Sequence, residues 1–168
     1  MLEIGVGHGR DIHLFEDAKL KYYGVDLHRQ MLGIAHQNEP SAYLSQQNLF
    51  NLGFPSETFD NFWISAVYHH VEWNKIDLAL QELHRVCKPE AIGFISLRKG
   101  RMNQPFYDDQ TGLSYHPWRR SDFAHSLKKN DFRVVQSSLF STNPKKTVGH
   151  DAPQYVPRLY YHFIVKRQ

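Results

Sequence analysis

Short apolar runs alternate along this chain with longer stretches in which apolar positions recur every three or four residues. The short runs, at 1–5, 22–25, 42–44, 61–67, 91–97, 133–138 and 159–166, read as β-strands, and 10–17, 29–36, 75–86 and 119–129 read as helices. The clearest helix is the third. Ile76, Leu80, Leu83 and Val86 fall on one of its faces, and Asn74 is its expected N-cap. Strand and helix alternating across one domain, 1–168, predict an α/β fold with a mostly parallel sheet and helices on both faces. The last two strands are joined only by a Pro- and Gly-bearing connection, 141–157, so they are expected to pair antiparallel. In open sheets of this kind ligands bind at the carboxyl ends of the strands, where the winding reverses, so the loops after residues 5, 25, 44 and 66 should surround one site.

Composition narrows the class. With 168 residues, 41% apolar and 14% aromatic, the chain is large enough to bury roughly 70% of its unfolded surface without disulfides or a structural metal. The single cysteine, Cys87, excludes an internal disulfide framework and reads as a packing residue behind the apolar helix face. No run reaches the ~18 apolar residues of a membrane span. The longest candidate, 62–71, is broken by Ser65 and by the His69-His70 pair. No basic segment followed by a small-residue cleavage site opens the chain, so the expected location is cytoplasmic. Residues 1–84 carry 5 Lys/Arg against 11 Asp/Glu and residues 85–168 carry 15 against 6, so the second half is basic and an RNA partner stays open. Eleven histidines raise the question of metal, but His8 and His13 are five apart and His69-His70 adjacent, neither of which is the i, i+4 spacing of a helical ligand pair, so none is expected.

The chemistry concentrates at Glu3-Ile4-Gly5-Val6-Gly7-His8-Gly9, between the first strand and the first helix. Glycines belong where a backbone turns tightly and a ligand lies against it without a Cβ in the way. A dinucleotide loop wants its third glycine where Arg10 stands, which ranks a nicotinamide-dependent oxidoreductase low. A carboxylate at Glu3 repels phosphate and suits an ammonium or sulfonium. Asp26 ends the second strand seventeen residues after Gly9, where a carboxylate accepts both hydroxyls of a ribose.

These residues resemble the class I S-adenosylmethionine-dependent methyltransferases, and within them the methyltransferase type 11 group. Residues 2–9 are similar to the family's first motif and Gly24-Val25-Asp26 to its ribose-binding acid. Asn48-Leu49-Phe50, with Phe54-Pro55 and Thr58-Phe59-Asp60, resembles the adenine loop and the approach to the fourth strand. Val67-Tyr68-His69-His70-Val71 resembles the segment leaving that strand, and Leu83-His84-Arg85-Val86-Cys87-Lys88-Pro89 the helix end before the fifth. The resemblance implies a Rossmann-like fold, a methyltransferase activity and S-adenosyl-L-methionine as cofactor. Gly5, Gly7 and Gly9 would underlie its methionine and ribose parts, and Glu3 would orient its amino group through water or the loop's N–H groups. Asp26 would take the ribose hydroxyls, Leu27 would pack near the adenine, Asn48 with the Leu49 backbone would read the adenine edge, and Ser65 and Ala66 would line the methionine end. Three features depart from the family pattern: Asn48 stands where an acid is usual, Pro89-Glu90-Ala91 replaces a Pro-Gly-Gly turn, and the chain begins inside the first strand, where relatives carry a covering helix and loop. Either that lid comes from elsewhere or the chain is a fragment.

Methyl transfer needs alignment in a dry pocket, and a base only when the nucleophile arrives protonated. His70 is the candidate base, and Tyr68, His69, Arg98 and Tyr115 are candidate acceptor contacts. The aromatic segment 99–118, with Met102, Phe106 and Trp118, would stack on a flat substrate or cover a small apolar pocket. The expected acceptor is a small molecule or RNA. The alternative is a methyltransferase-like binding or regulatory domain without turnover.

Overall fold

In the computed structural model the residues described are 1–18, 20–100, 104–109, 112–142 and 158–168. The elements run β1 (Leu2–Ile4), α1 (Ile12–Asp17), β2 (Tyr23–Asp26), α2 (Arg29–Asn38), β3 (Tyr43–Gln46) and β4 (Phe59–Ser65). Two 3₁₀ turns (Tyr68–His70 and Trp73–Lys75) lead into α3 (Ile76–Val86) and β5 (Cys87–Arg98). A hairpin of β6 (Phe106–Asp108) and β7 (Leu113–Tyr115) precedes α4 (Arg120–Lys129), β8 (Phe132–Thr142) and β9 (Arg158–Arg167). The seven-stranded sheet has the order β3-β2-β1-β4-β5-β9-β8. Its first five strands are parallel, and β9 pairs antiparallel with both β5 and β8. The winding reverses between β1 and β4, so the loops leaving those strands face each other across a crevice.

The sheet divides the apolar side chains into two clusters. The larger joins Leu2, Ile4, Phe62 and Ile64 to Leu80, Leu83 and Val86 of α3 and to Phe123 and Leu127 of α4. The smaller joins Val6 and Tyr22 to Ile12 and Phe15 of α1 and to Leu32 and Ala35 of α2. Because side chains alternate along a strand, Leu2 and Ile4 enter one cluster and Glu3 is turned toward the other. Helices therefore cover both faces, as the alternation of elements predicts.

The structure corrects several boundaries. The residue capping α3 is Lys75 and makes no side-chain cap bond, because the Trp73–Lys75 turn occupies the place expected for an Asn74 cap. Strand β5 starts at Cys87 rather than 91, and its pairing with β4 shifts register between Cys87 and Ile92, where Glu90 takes φ +70°. The region 99–118 contains the β6–β7 hairpin, whose three-residue strands are too short for a periodicity signal. Met102 and most of the 141–157 connection lie outside the described residues. Cys87 is buried, and burial pushes its thiol up to about 12, so it packs as an inert apolar group. Among the described residues no helix is long and apolar enough to cross a membrane.

Two arrangements brace the crevice from behind. On α3, Glu82 accepts the Leu52 N–H (2.6 Å), and Arg85 donates to the carbonyls of Leu52 (2.9 Å) and Phe54 (2.8 Å) while pairing with Glu82. This clamp fixes the loop after β3 onto the helix. Under the glycine loop, Glu3 is 2% exposed and its Oε2 accepts the Tyr22 hydroxyl (2.6 Å). Burial pushes the Glu3 carboxyl up to about 7, against the opposing hydrogen bond from Tyr22.

A Glu3 pKa above its unfolded value means that the folded chain holds a proton that the unfolded chain releases between about pH 4.5 and 7. The stability Glu3 contributes is therefore full below that window and lost as pH rises through it, by roughly 3 kcal/mol. Denaturant unfolding from pH 5 to 8 should show this loss in wild type and not in Glu3→Gln, with the variant the more stable at pH 8; parallel profiles would remove the buried carboxyl from the account. Arg85→Met should speed amide exchange at Leu52 and lower stability by about 1–3 kcal/mol, since the Leu52 and Phe54 carbonyls lose their donor; unchanged exchange would show that the clamp does not hold the loop.

Candidate functional site

The crevice holds a cavity of about 690 Å³. Its floor is the glycine loop. Gly5 and Gly7 have φ of +80° and +58°, the left-handed region that side chains disfavour. A Cβ on Gly5 would come within 2.2 Å of Val67 Cγ2, whereas one on Gly7 would project into open space along the cavity wall. The bare backbone thus leaves room for a ligand lying against it. Gly9, at φ +89°, is not in the wall; a Cβ there would press on Ile12 and Ala35 at 3.1–3.2 Å, so its role is to let the loop close on α1 and α2.

Asp26, at the end of β2, knits the site. Its Oδ2 accepts the Gly7 N–H (2.9 Å) and its Oδ1 the His28 N–H (2.8 Å), with the His28 ring Nδ1 3.4 Å from Oδ1, which fixes the carboxylate on the cavity wall. Beyond it, Leu27, Met31, Leu49 and Phe50 give the cavity an apolar lining, with the Asn48 amide beside them. Asn48 Oδ1 accepts the Phe50 N–H (3.0 Å), shaping the turn, so one carbonyl lone pair and the amide N–H groups of Asn48 remain.

The opposite wall comes from the end of β4. Ser65 and Ala66 line it, and Ala66 sits at φ +61°, a conformation that costs a non-glycine residue roughly 1 kcal/mol. Its N–H is held by the Ser96 carbonyl (3.1 Å) and the Ser96 Oγ (3.0 Å). Arg10 reaches across the loop mouth to Ser65 Oγ (3.2 Å) while paired with Asp11.

The far end is formed by His70, Val71, Glu72, Lys75 and Leu113. His70 Nδ1 lies 2.9 Å from the Ser114 carbonyl, which only accepts, so this nitrogen carries the proton and Nε2 keeps its lone pair. Burial lowers the His70 pKa below its ordinary value, keeping the ring neutral near pH 7.

Of the residues singled out from sequence, Gly5, Gly7, Asp26, Leu27, Asn48, Leu49, Ser65, Ala66 and His70 are brought together on this cavity. Glu3 is not. It stands beneath the loop, sealed by Tyr22, and its direction follows from strand alternation, which a motif match ignores. Tyr68 and His69 are buried at 0% and 1% exposure, and Arg98 and Tyr115 form a layer behind His70 rather than the wall itself. Among the wall residues to which the sequence reading gave no role, Phe50 and Val67 lie inside motifs it quoted, whereas Met31 and Leu113 carried no signal, because each reaches the cavity only through tertiary placement. Among the described residues no three His, Cys, Asp or Glu side chains converge to hold a metal ion.

The sequence matches the profile of the family described as "Methyltransferase domain" over residues 2–95, more than half of the chain. No curated protein matches it. Among solved structures, a SAM-dependent methyltransferase from Methanosarcina mazei is similar at 17% identity and TM-score 0.81, over 99% of this chain and 91% of that one. An S-adenosylmethionine-dependent methyltransferase from Mesorhizobium loti is similar at 14% identity and TM-score 0.75, over 99% and 89%. The Burkholderia thailandensis 1,6-didemethyltoxoflavin-N1-methyltransferase, with bound 1,6-didemethyltoxoflavin and S-adenosylhomocysteine, is similar at 18% identity and TM-score 0.76, over 99% and 69%. At these identities the likeness speaks for the fold, and the profile match speaks for the family: the chain belongs to the class I S-adenosylmethionine-dependent methyltransferases, in the type 11 group.

Proposed function

We propose that this protein transfers a methyl group from S-adenosylmethionine to a small-molecule acceptor bound at the His70 end of the cavity. The observation that carries this reading is the Asp26 carboxylate, fixed on the wall by the Gly7 and His28 N–H groups beside a floor of bare glycine backbone. The residues fit the cofactor. Asp26 would hold its ribose hydroxyls, the slot of Leu27, Met31, Leu49 and Phe50 its adenine, and Ser65 and Ala66 its methionine end. A nucleoside that filled the slot would leave the space by His70 to the acceptor, and a cavity of this volume suits a small molecule better than a polymer.

Bound there, the cofactor supplies an electrophilic methyl on a charged sulfonium. What remains for the chain is orientation and proton handling. The strained Ala66 backbone, held by Ser96, keeps that wall rigid, and the apolar side chains of Val67, Val71 and Leu113 exclude water from the approach. His70, with Nδ1–H committed to Ser114, presents Nε2 as the base for an acceptor that arrives as an O–H or N–H, with Ser114 steadying the imidazolium that forms.

Calorimetric titration with S-adenosylhomocysteine should show tight binding by wild type and at least tenfold weaker binding by Asp26→Ala, the loss of charge-assisted bonds worth about 1.5–3 kcal/mol; equal affinities would sink the ribose assignment. His70→Gln should leave that affinity within twofold and slow turnover by roughly 10²–10⁴ for hydroxyl or N–H acceptors. The wild-type rate should fall only below pH 6.5, following the lowered His70 pKa, and the variant should lack that acid limb. A retained limb would exclude His70 as the base.

A further inference from the structure

A neutral histidine can carry its proton on either ring nitrogen, so its use as a base depends on which one is protonated. His70 is held neutral chiefly by burial, which the Ser114 carbonyl opposes and to which the charges of His116, Arg98 and His28 add. Ser114 sets the tautomer, because its carbonyl lies 2.9 Å from Nδ1 and only accepts, leaving the Nε2 lone pair free. That residue is the middle one of β7, so the tautomer is no more secure than the hairpin that carries it. The hairpin stands apart from the main sheet, and two strands of three residues are marginal by themselves, so its place has to come from packing.

Arg98, the last residue of β5, supplies that packing. Phe106 and Tyr115 are cross-strand partners of the hairpin, and their rings stack at 4.9 Å, 4° from parallel. The Arg98 guanidinium carbon lies 4.6 Å from the Phe106 ring centre and 5.0 Å from that of Tyr115. Its Nη1 is buried and, among the described residues, has no hydrogen-bond partner, so the two rings take up the charge instead. Ring faces attract a cation, and more strongly where water is excluded. The Tyr115 ring in turn lies 4.5 Å from His70 and, near-parallel, 5.4 Å from His69. The Arg98 backbone serves the same junction: His69 Nδ1 accepts its N–H (3.1 Å), its carbonyl accepts the Trp118 N–H (3.1 Å), and the His116 N–H donates to the His69 carbonyl (2.6 Å). The end of β5 is thereby tied to the His69-His70 turn on one side and to the chain leaving the hairpin on the other. A change of the Arg98 side chain leaves these backbone ties in place and removes the guanidinium alone.

Resting on the reading of His70 as the base, we propose that Arg98 is its positioning residue: the guanidinium, seated on the Phe106–Tyr115 ring pair, holds the β6–β7 hairpin where the Ser114 carbonyl keeps the proton on His70 Nδ1. Arg98 touches neither cofactor nor acceptor. It acts through the hairpin, and the tautomer of His70 is what it controls.

Nitrogen NMR of the full chain with labelled histidine rings reads the tautomer directly, His70→Gln identifying the His70 signals. Wild type should show the neutral His70 ring in the Nδ1–H form alone. Arg98→Met should lose that single form and populate both tautomers, while titration with S-adenosylhomocysteine gives the wild-type affinity. Arg98→Lys, which returns the charge without the planar stack, should restore the Nδ1–H form in part. Phe106→Leu removes one of the two rings at a side chain already 37% exposed, and should mix the tautomers as Arg98→Met does. Mixed tautomers in wild type, or a single Nδ1–H form in Arg98→Met, overturn the proposal; should Arg98→Met not fold, a single form in Phe106→Leu does so. Weakened S-adenosylhomocysteine binding in Arg98→Met also overturns it, since the site as a whole would then have loosened, and a lysine variant as mixed as the methionine one counts against the ring-seated charge. No turnover enters these measurements: an Arg98-dependent tautomer beside a His70→Gln variant that keeps the wild-type rate and its acid limb would overturn the base reading alone.

Discussion

A carboxylate at the end of a central strand, taken up by the backbone of the loop beside it, is the contact on which the site depends. Asp26 ties the glycine loop (through Gly7) and the start of α2 (through His28) to the carboxyl edge of β2. Without that tie, the loop of three positive-φ glycines keeps its backbone bonds to Val25 and the Asn38 amide on the His8 carbonyl (3.0 Å), and the Gly7 part of the cavity floor loosens. On the proposed reading the same carboxylate would hold a ribose, so the group that builds the cradle would also define what lies in it. The loop after β3 is handled differently. There the helix α3 supplies Glu82 and Arg85 as a clamp, which accounts physically for an acid and an arginine three residues apart at the end of an otherwise apolar helix face.

Most of the architecture was legible in the sequence, because the short strands near the centre of the sheet are largely buried and α3 carries a clean apolar stripe. The antiparallel closing pair followed from the missing helix between the last two strands, and β9 does lie between β5 and β8. Boundaries were less legible. The Trp73–Lys75 turn displaced the Asn74 cap, and the extra length of β5 comes from pairing with β4 at Cys87, a long-range contact that no local window contains.

The candidate site divides along the same line. Gly5, Gly7 and Asp26 were readable from the glycine pattern and its spacing to the strand end, and Ser65 and Ala66 from the family resemblance, and the fold delivers all five to the crevice. Residues whose side-chain direction matters were not. Glu3 belongs to the motif yet faces the smaller apolar cluster, where Tyr22 closes over it. Arg98 stacks on Phe106 and Tyr115 of the β6–β7 hairpin, behind the cavity wall, and Leu113 reaches that wall with the same hairpin. The His70 end of the cavity, the proposed acceptor end, is thus built by tertiary packing, whereas the glycine-loop end is built by local chain geometry.

The most direct test of the central claim is a crystal structure of the chain with S-adenosylhomocysteine. The account predicts the ribose hydroxyls within hydrogen-bond distance of the Asp26 carboxylate, the adenine against Leu49 and Phe50, and the sulfur directed toward Ala66 and His70. Electron density for the nucleoside at another place, or a glycine loop collapsed into the cavity with the ligand excluded, would contradict it.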